Sequence, residues 1–294
     1  MKRVLLAWAA MCVMGALAAA QPYQIRLHRP EKAGDRYRLQ ATGTSARSMD
    51  LVVDGQAVQS QYEGFRVDLE ATAEVKQVSE DGTPLAVNYT IGRFTRQEGK
   101  EEGKPLLAPG AVVESKLEGD ARTFTVGGDK ADAVVSAALD LVLGSRAKKE
   151  SKDDLMFGTD KPVNVGDQWP VNAEASAREL TNEEVKVAAQ DIRGTMTLAD
   201  AREVRGTPAL VIEGQIEVAK MQMPLPPDVK ADRAKADLKL QVALPRDVAQ
   251  PPLTIRREMK MDVKATGRTP DGKSLVMEMA FRQMVETMRD EARP

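Results

Sequence analysis

The 294 residues include one cysteine, one histidine and only 4% aromatic side chains. Each scarcity excludes something. Cys12 lies inside the N-terminal apolar stretch, so a chain trimmed of that stretch has no thiol nucleophile and no disulfide, and packing must stabilise it. With His28 as the sole histidine, no His-pair zinc site can form, and histidine-assisted serine chemistry would have to use that residue. His28 falls in an early predicted strand, Ile25 to His28, beside Arg29 and Pro30, and reads as a surface histidine. Charges of both signs are interspersed and rings are rare, so no basic, aromatic-studded face exists for nucleic acid. Gly-x-Ser-x-Gly elbows and dinucleotide fingerprints are missing as well. Gly127-Gly128-Asp129 reads as a turn and cap, not an anion site. The adjacent pairs Asp153-Asp154 and Glu183-Glu184 offer carboxylates, but neighbours in sequence need not converge on a substrate.

Only one long apolar run occurs. Lys2 and Arg3 precede Val4 to Leu17, and Ala18-Ala19-Ala20 follows, the pattern of a secretory signal peptide cut after Ala20, with Ala18 as the near alternative. The run is short for a spanning helix, which needs ~20 apolar residues. Cys12 lacks the preceding triplet and cleavage point that lipid attachment requires. The expected product is exported, periplasmic or extracellular, with no transmembrane segment after cleavage; losing Lys2 and Arg3 moves its net charge from −2 to −4.

Period-two alternation dominates what remains. Phe65, Val67, Leu69, Ala71, Ala73 and Val75 alternate with polar residues, Glu80-Asp81-Gly82 turns the chain, and Leu85, Val87, Tyr89 and Ile91 continue the spacing. The same grammar recurs in Leu210 to Val218 and Leu238 to Leu244. It returns in Leu253 to Val263, which leads through Pro270-Asp271-Gly272 into Leu275, Met277, Met279 and Phe281. Arg257 interrupts that last apolar face; a bulge or a snorkelling side chain explains it better than a buried functional charge does. Two helices are predicted, at about 129–143 with Asp129 and Asp132 near its start and Gly144 at its end, and at about 172–181. Segments 97–104 and 145–154 are too charged to bury and read as solvated loops. The fold class is therefore mainly β (β-rich α+β): a long curved antiparallel sheet or open half barrel with helix 129–143 packed on it. The domain expectation is a signal peptide, 1–20, then one β-rich domain, 21–294, or two packed halves, 21–128 and 159–294. Gly34-Asp35-Arg36-Tyr37 and Gly166-Asp167-Gln168-Trp169 open those halves and suggest an internal duplication.

Methionine is the unusual presence. Met221/Met223, Met259/Met261 and Met277/Met279 are Met-x-Met pairs, and residues i and i+2 of a strand share a face. If Met259, Met261, Met277 and Met279 meet on one hairpin they form a soft, adaptable patch. Three readings follow: core filling, a cavity or groove for an acyl chain, and a thioether Cu(I) site formed by those four methionines. The functional expectation is a non-enzymatic envelope protein binding a lipid or other hydrophobic ligand in the concave sheet, lined by Val134, Leu139, Met259, Met261, Met277, Met279 and Phe281. The alternatives are a structural or protein-interaction module with a filled core, and a carboxylate-dependent exported hydrolase. No catalytic residue and no cofactor is assigned.

The stretch Pro162-Val163-Asn164-Val165-Gly166-Asp167-Gln168-Trp169, followed by a short helix and long strands, resembles an uncharacterised family of exported bacterial β-rich proteins carrying Pro-Val-x-Val-Gly-Asp-x-Trp. That resemblance implies an envelope location and no particular activity. The motif itself reads as structural, with Gly166 for the turn, Asp167 for local hydrogen bonds and Trp169 as a buried anchor. In architecture the chain also resembles periplasmic lipoprotein carriers, whose half barrel cups an acyl chain against a helix.

Overall fold

The computed structural model describes residues 22–119, 121–144, 151–182 and 185–291. The expected signal peptide, the pair Glu183-Glu184 and residues 145–150 of the charged loop lie outside the described residues. The strands are β1 (Arg36–Val53), β2 (Gln56–Val78), β3 (Pro84–Glu98), β4 (Lys104–Pro105), β5 (Val112–Glu118), β6 (Ala121–Val126) and β7 (Asp129–Lys130). After helices α1 (Ala133–Leu143) and α2 (Asp153–Phe157) come β8 (Gln168–Pro170), α3 (Ala173–Leu180), β9 (Ile192–Val204), β10 (Thr207–Val218), β11 (Val229–Pro245), β12 (Thr254–Arg268) and β13 (Ser274–Glu291).

All thirteen strands belong to one antiparallel sheet in the order β7-β6-β5-β3-β2-β1-β13-β12-β11-β10-β9-β8, with β4 on β3. Most neighbours in sequence pair as hairpins, and the last strand returns to pair with the first, Gly43 opposite Val285. The sheet is not closed; β7 and β8 are its edges. It nevertheless curls. The 11-residue helix α1 touches β1, β2, β6 and β13. At ~4.8 Å per strand, β6 and β13 lie ~24 Å apart along the sheet, and the helix is only ~16 Å long. Curling the sheet brings both strands in over the helix ends.

One face of the sheet is apolar toward both of its ends. On β2 the alternation reads directly as burial, with Val67, Leu69, Ala71, Ala73 and Val75 all buried. That face carries two cores. The first joins β1, β2, β3, β5 and β6 to α1 through Leu39, Leu69, Ile91, Phe94, Leu139 and Val142. The second joins β8 to β12 with α3 and Ile25 and Leu27 of the N-terminal segment, through Trp169, Met196, Ile212 and Leu244. Helix α1 lies close on β1: a Cβ at Gly43 would fall 2.7 Å from Leu141 Cγ.

Three local expectations shift. Helix α1 starts at Ala133, not 129, because Gly127 and Gly128 (φ 62° and 93°) make a tight turn that sends Asp129–Lys130 back along β6 as β7. Asp132 then caps the helix, accepting a 2.8 Å hydrogen bond from the Val135 amide. The segment Ile25 to His28 forms no strand; the Leu27 amide is tied to Asp154 Oδ1 at 2.6 Å and, just beyond the segment, the Glu31 amide to the Gly82 carbonyl at 2.9 Å. Arg257 sits in regular register between Leu240 and Val285, with no bulge. Helix α3, capped by Asn172, falls where the sequence places it.

The two Gly-Asp openings fold alike. Gly34 and Gly166 have φ of 94° and 95°. Asp35 Oδ2 accepts from the Lys32 amide and Asp167 Oδ2 from the Asn164 amide, each at 2.7 Å. Gly34 and Asp35 exchange backbone bonds with Val75, as Gly166 and Asp167 do with Leu198. Tyr37 and Trp169 both turn inward, and the Trp169 indole donates to the Phe157 carbonyl at 2.8 Å.

Candidate functional site

The Met-rich hairpin is β12–β13, and its register sets what each side chain faces. Pairing through β11, β12, β13, β1 and β2 gives rows across the inner face: Leu240–Arg257–Val285–Gly43–Val67, then Leu238–Met259–Gln283–Ser45–Phe65, then Ala236–Met261–Phe281–Arg47–Glu63. Next come Ala234–Val263–Met279–Met49–Gln61 and Ala265–Met277–Leu51–Gln59. Met259, Met261, Met277, Met279 and Phe281 thus share the inner face, and all five are half-buried. Met261 and Met279 pack against the second core, while Met259, Met277 and Phe281 belong to neither core. Staggering puts Met259 and Met277 six residues out of line, about 20 Å at ~3.4 Å per residue, so the four thioethers cannot converge on one Cu(I) ion.

Helix α1 divides the other two expected lining residues. Leu139 is fully buried against the sheet, whereas Val134 is 48% exposed on the opposite side of the helix. They are five residues apart, about 140° around the helix axis at 3.6 residues per turn.

Sequence reading places Arg257 on this face and misses the carboxylate that acts on it. Arg257 points inward, and Asp153 of α2 is the charge whose field reaches it. Both side chains are exposed to water. Yet desolvation lowers the Arg257 pKa and raises that of Asp153, with Ser151 and His28 working the other way on the carboxyl. Both groups are thus wetted on one side and screened from water on the other. Among the described residues Arg257 forms no hydrogen bond or ion pair. On the outer face of the same strands Arg256, Lys264 and Arg282 each hold a carboxylate, of Glu258, Glu278 and Asp262.

The end of the curve nearest the N-terminal segment is polar. Arg289 bonds Glu31 at 2.6 Å and stacks 4.5 Å over the Tyr37 ring. Burial opposes its charge, but Tyr37 and Glu31 outweigh that and hold its pKa above the usual range. Burial pushes the Tyr37 and Tyr89 phenols up. A recess of 960 Å³ opens beside this network, between Arg36, Arg205, Pro251 and Arg289, and another of 460 Å³ lies on the outer face around Tyr62 and Arg282.

His28 Nε2 lies 2.7 Å from the Asp81 carbonyl oxygen and 3.7 Å from Oδ2 of the same residue, and Ser79 Oγ donates to Asp81 Oδ1. The carboxylate stands between hydroxyl and imidazole, whereas nucleophile activation needs the imidazole between the other two. The pair Asp153-Asp154 splits: Asp154 ties down the Leu27 amide, and Asp153 acts on Arg257 through its field.

No known family model matches the chain, and no curated protein matches it. Among solved structures it is similar to one described as lipid–protein interactions in lipovitellin, at 10% identity and TM-score 0.35, covering 90% of this chain and 26% of that one. It is also similar to Pseudomonas aeruginosa OccK2 (OpdF), at 8% identity and TM-score 0.19, covering 86% of this chain and 98% of that one.

Proposed function

We propose that this chain is an exported envelope protein that holds a lipid or other hydrophobic ligand against the inner face of its open sheet. The observation behind the reading is the strip Met259, Met277 and Phe281, apolar, half-buried and outside both packed cores. A filled interior would bury such side chains completely. Unbranched, polarizable methionines adapt to a flexible chain better than branched residues do. Export rests on the basic and apolar N-terminal run. A structural module with a filled core is the competing reading, favoured by the packing of Met261 and Met279 on the second core.

Met259→Phe and Met277→Phe separate the two. If the strip is a binding surface, the wild type takes up the neutral probe Nile red, and each variant binds it more weakly with an unchanged urea midpoint. If the interior is filled, the wild type takes up no probe, and each variant loses about 1–3 kcal/mol to overpacking.

A further inference from the structure

Arg257 differs from the other inner-face residues around it. Its row across the sheet, Leu240, Val285, Gly43 and Val67, contains no charge. Arg47, the other arginine beside the Met strip, has Glu63 directly opposite. Among the described residues nothing hydrogen-bonds the Arg257 guanidinium, although five N–H donors are available on it. Along the same strand the apolar strip begins at once, with Met259 and Met261, and continues on the neighbouring strand through Phe281, Met279 and Met277. From Arg257 to Ala265, the partner of Met277, the strand advances about 27 Å at ~3.4 Å per residue.

We infer that the ligand is an anionic amphiphile: an acyl chain lies along the Met strip and its carboxylate or phosphate headgroup is held by Arg257. This rests on the reading of the strip as a hydrophobic binding face. A guanidinium on the inner face with no hydrogen bond or ion pair among the described residues gains more from a bidentate anion than one already held by a carboxylate does. An acyl chain without a charged head would leave it unpaired. Asp153 lies beyond ion-pair distance, but its negative field acts at Arg257 and opposes an incoming anion. Removing that charge strengthens anion binding, and removing Arg257 weakens it.

The test is displacement of Nile red by palmitate, hexadecyl phosphate and hexadecanol from the wild type, Arg257→Gln, Arg257→Lys and Asp153→Asn. Thermal unfolding of each variant separates lost binding from lost fold. The expected result is that at least one anion binds about ten- to hundredfold more tightly than the alcohol, the worth of a charge-assisted hydrogen bond. That preference disappears in Arg257→Gln, survives in part in Arg257→Lys and grows in Asp153→Asn. Whichever anion binds more tightly identifies the headgroup. Equal binding of all three compounds, or a preference that persists in Arg257→Gln, overturns the inference and leaves the hydrophobic face standing. If neither Nile red nor any of the three binds, the hydrophobic face fails and the inference with it.

Discussion

Asp81, at the tip of the β2–β3 hairpin, joins three separated pieces of chain. It accepts hydrogen bonds from Ser79 and Thr83 within the turn and from the Ser151 amide at 3.0 Å, and its carbonyl oxygen meets His28. Burial alone would raise its pKa, but the hydrogen bonds from Ser79, Ser151 and Thr83 outweigh it and hold the carboxyl at about 2. A carboxylate depressed in the folded state stabilises the fold fully above its unfolded pKa of about 3.9, and that contribution drains away as pH falls toward the folded value. Asp81→Asn should therefore lower the urea midpoint at pH 7, with the gap to wild type closing between about pH 4 and pH 2. A gap independent of pH would show that the carboxylate charge contributes nothing. At this scale the sequence is half legible. Asp-Gly announces the turn, and Met-x-Met announces a shared face. The tie from Asp81 to Ser151 and the approach of Asp153 to Arg257 join residues 70 or more positions apart, which no local pattern encodes.

Among the elements, α1 is set by contact as much as by propensity. Its sequence, AVVSAALDLVL, is apolar on nearly every side, so the helix carries little information about which face meets the sheet. Burial decides it: Val135, Ala138, Leu139 and Val142 go to the sheet, and Val134 is left in the open. Gly43 makes the approach possible. Gly43→Ala should cost about 1–3 kcal/mol in urea unfolding, because the new methyl meets Leu141. Leu141→Ala in the same chain should relieve part of that cost, so the double variant is less destabilised than the sum of the singles. Strict additivity would place the helix farther from β1. The strands were legible because one buried and one wet face leave period two in the sequence. The helix start was not, because Asp129 and Asp132 are both plausible caps until the Gly127-Gly128 turn commits Asp129 to β7.

For the whole molecule, hairpin grammar predicts the long antiparallel sheet but not its order. Alternation along β1 or β13 cannot tell that the last strand returns to the first, and that pairing places the Met strip at the seam between the two cores. The repeated Gly-Asp opening was visible as a short likeness, and its identical hydrogen bonding gives that likeness a physical basis. The central claim is that the seam holds a ligand, and native mass spectrometry of the protein, purified without detergent from a bacterial periplasm, tests it most directly. The account predicts an added mass that organic extraction removes and that proves to be lipid. A bare protein mass, unchanged after incubation with lipids, would contradict it.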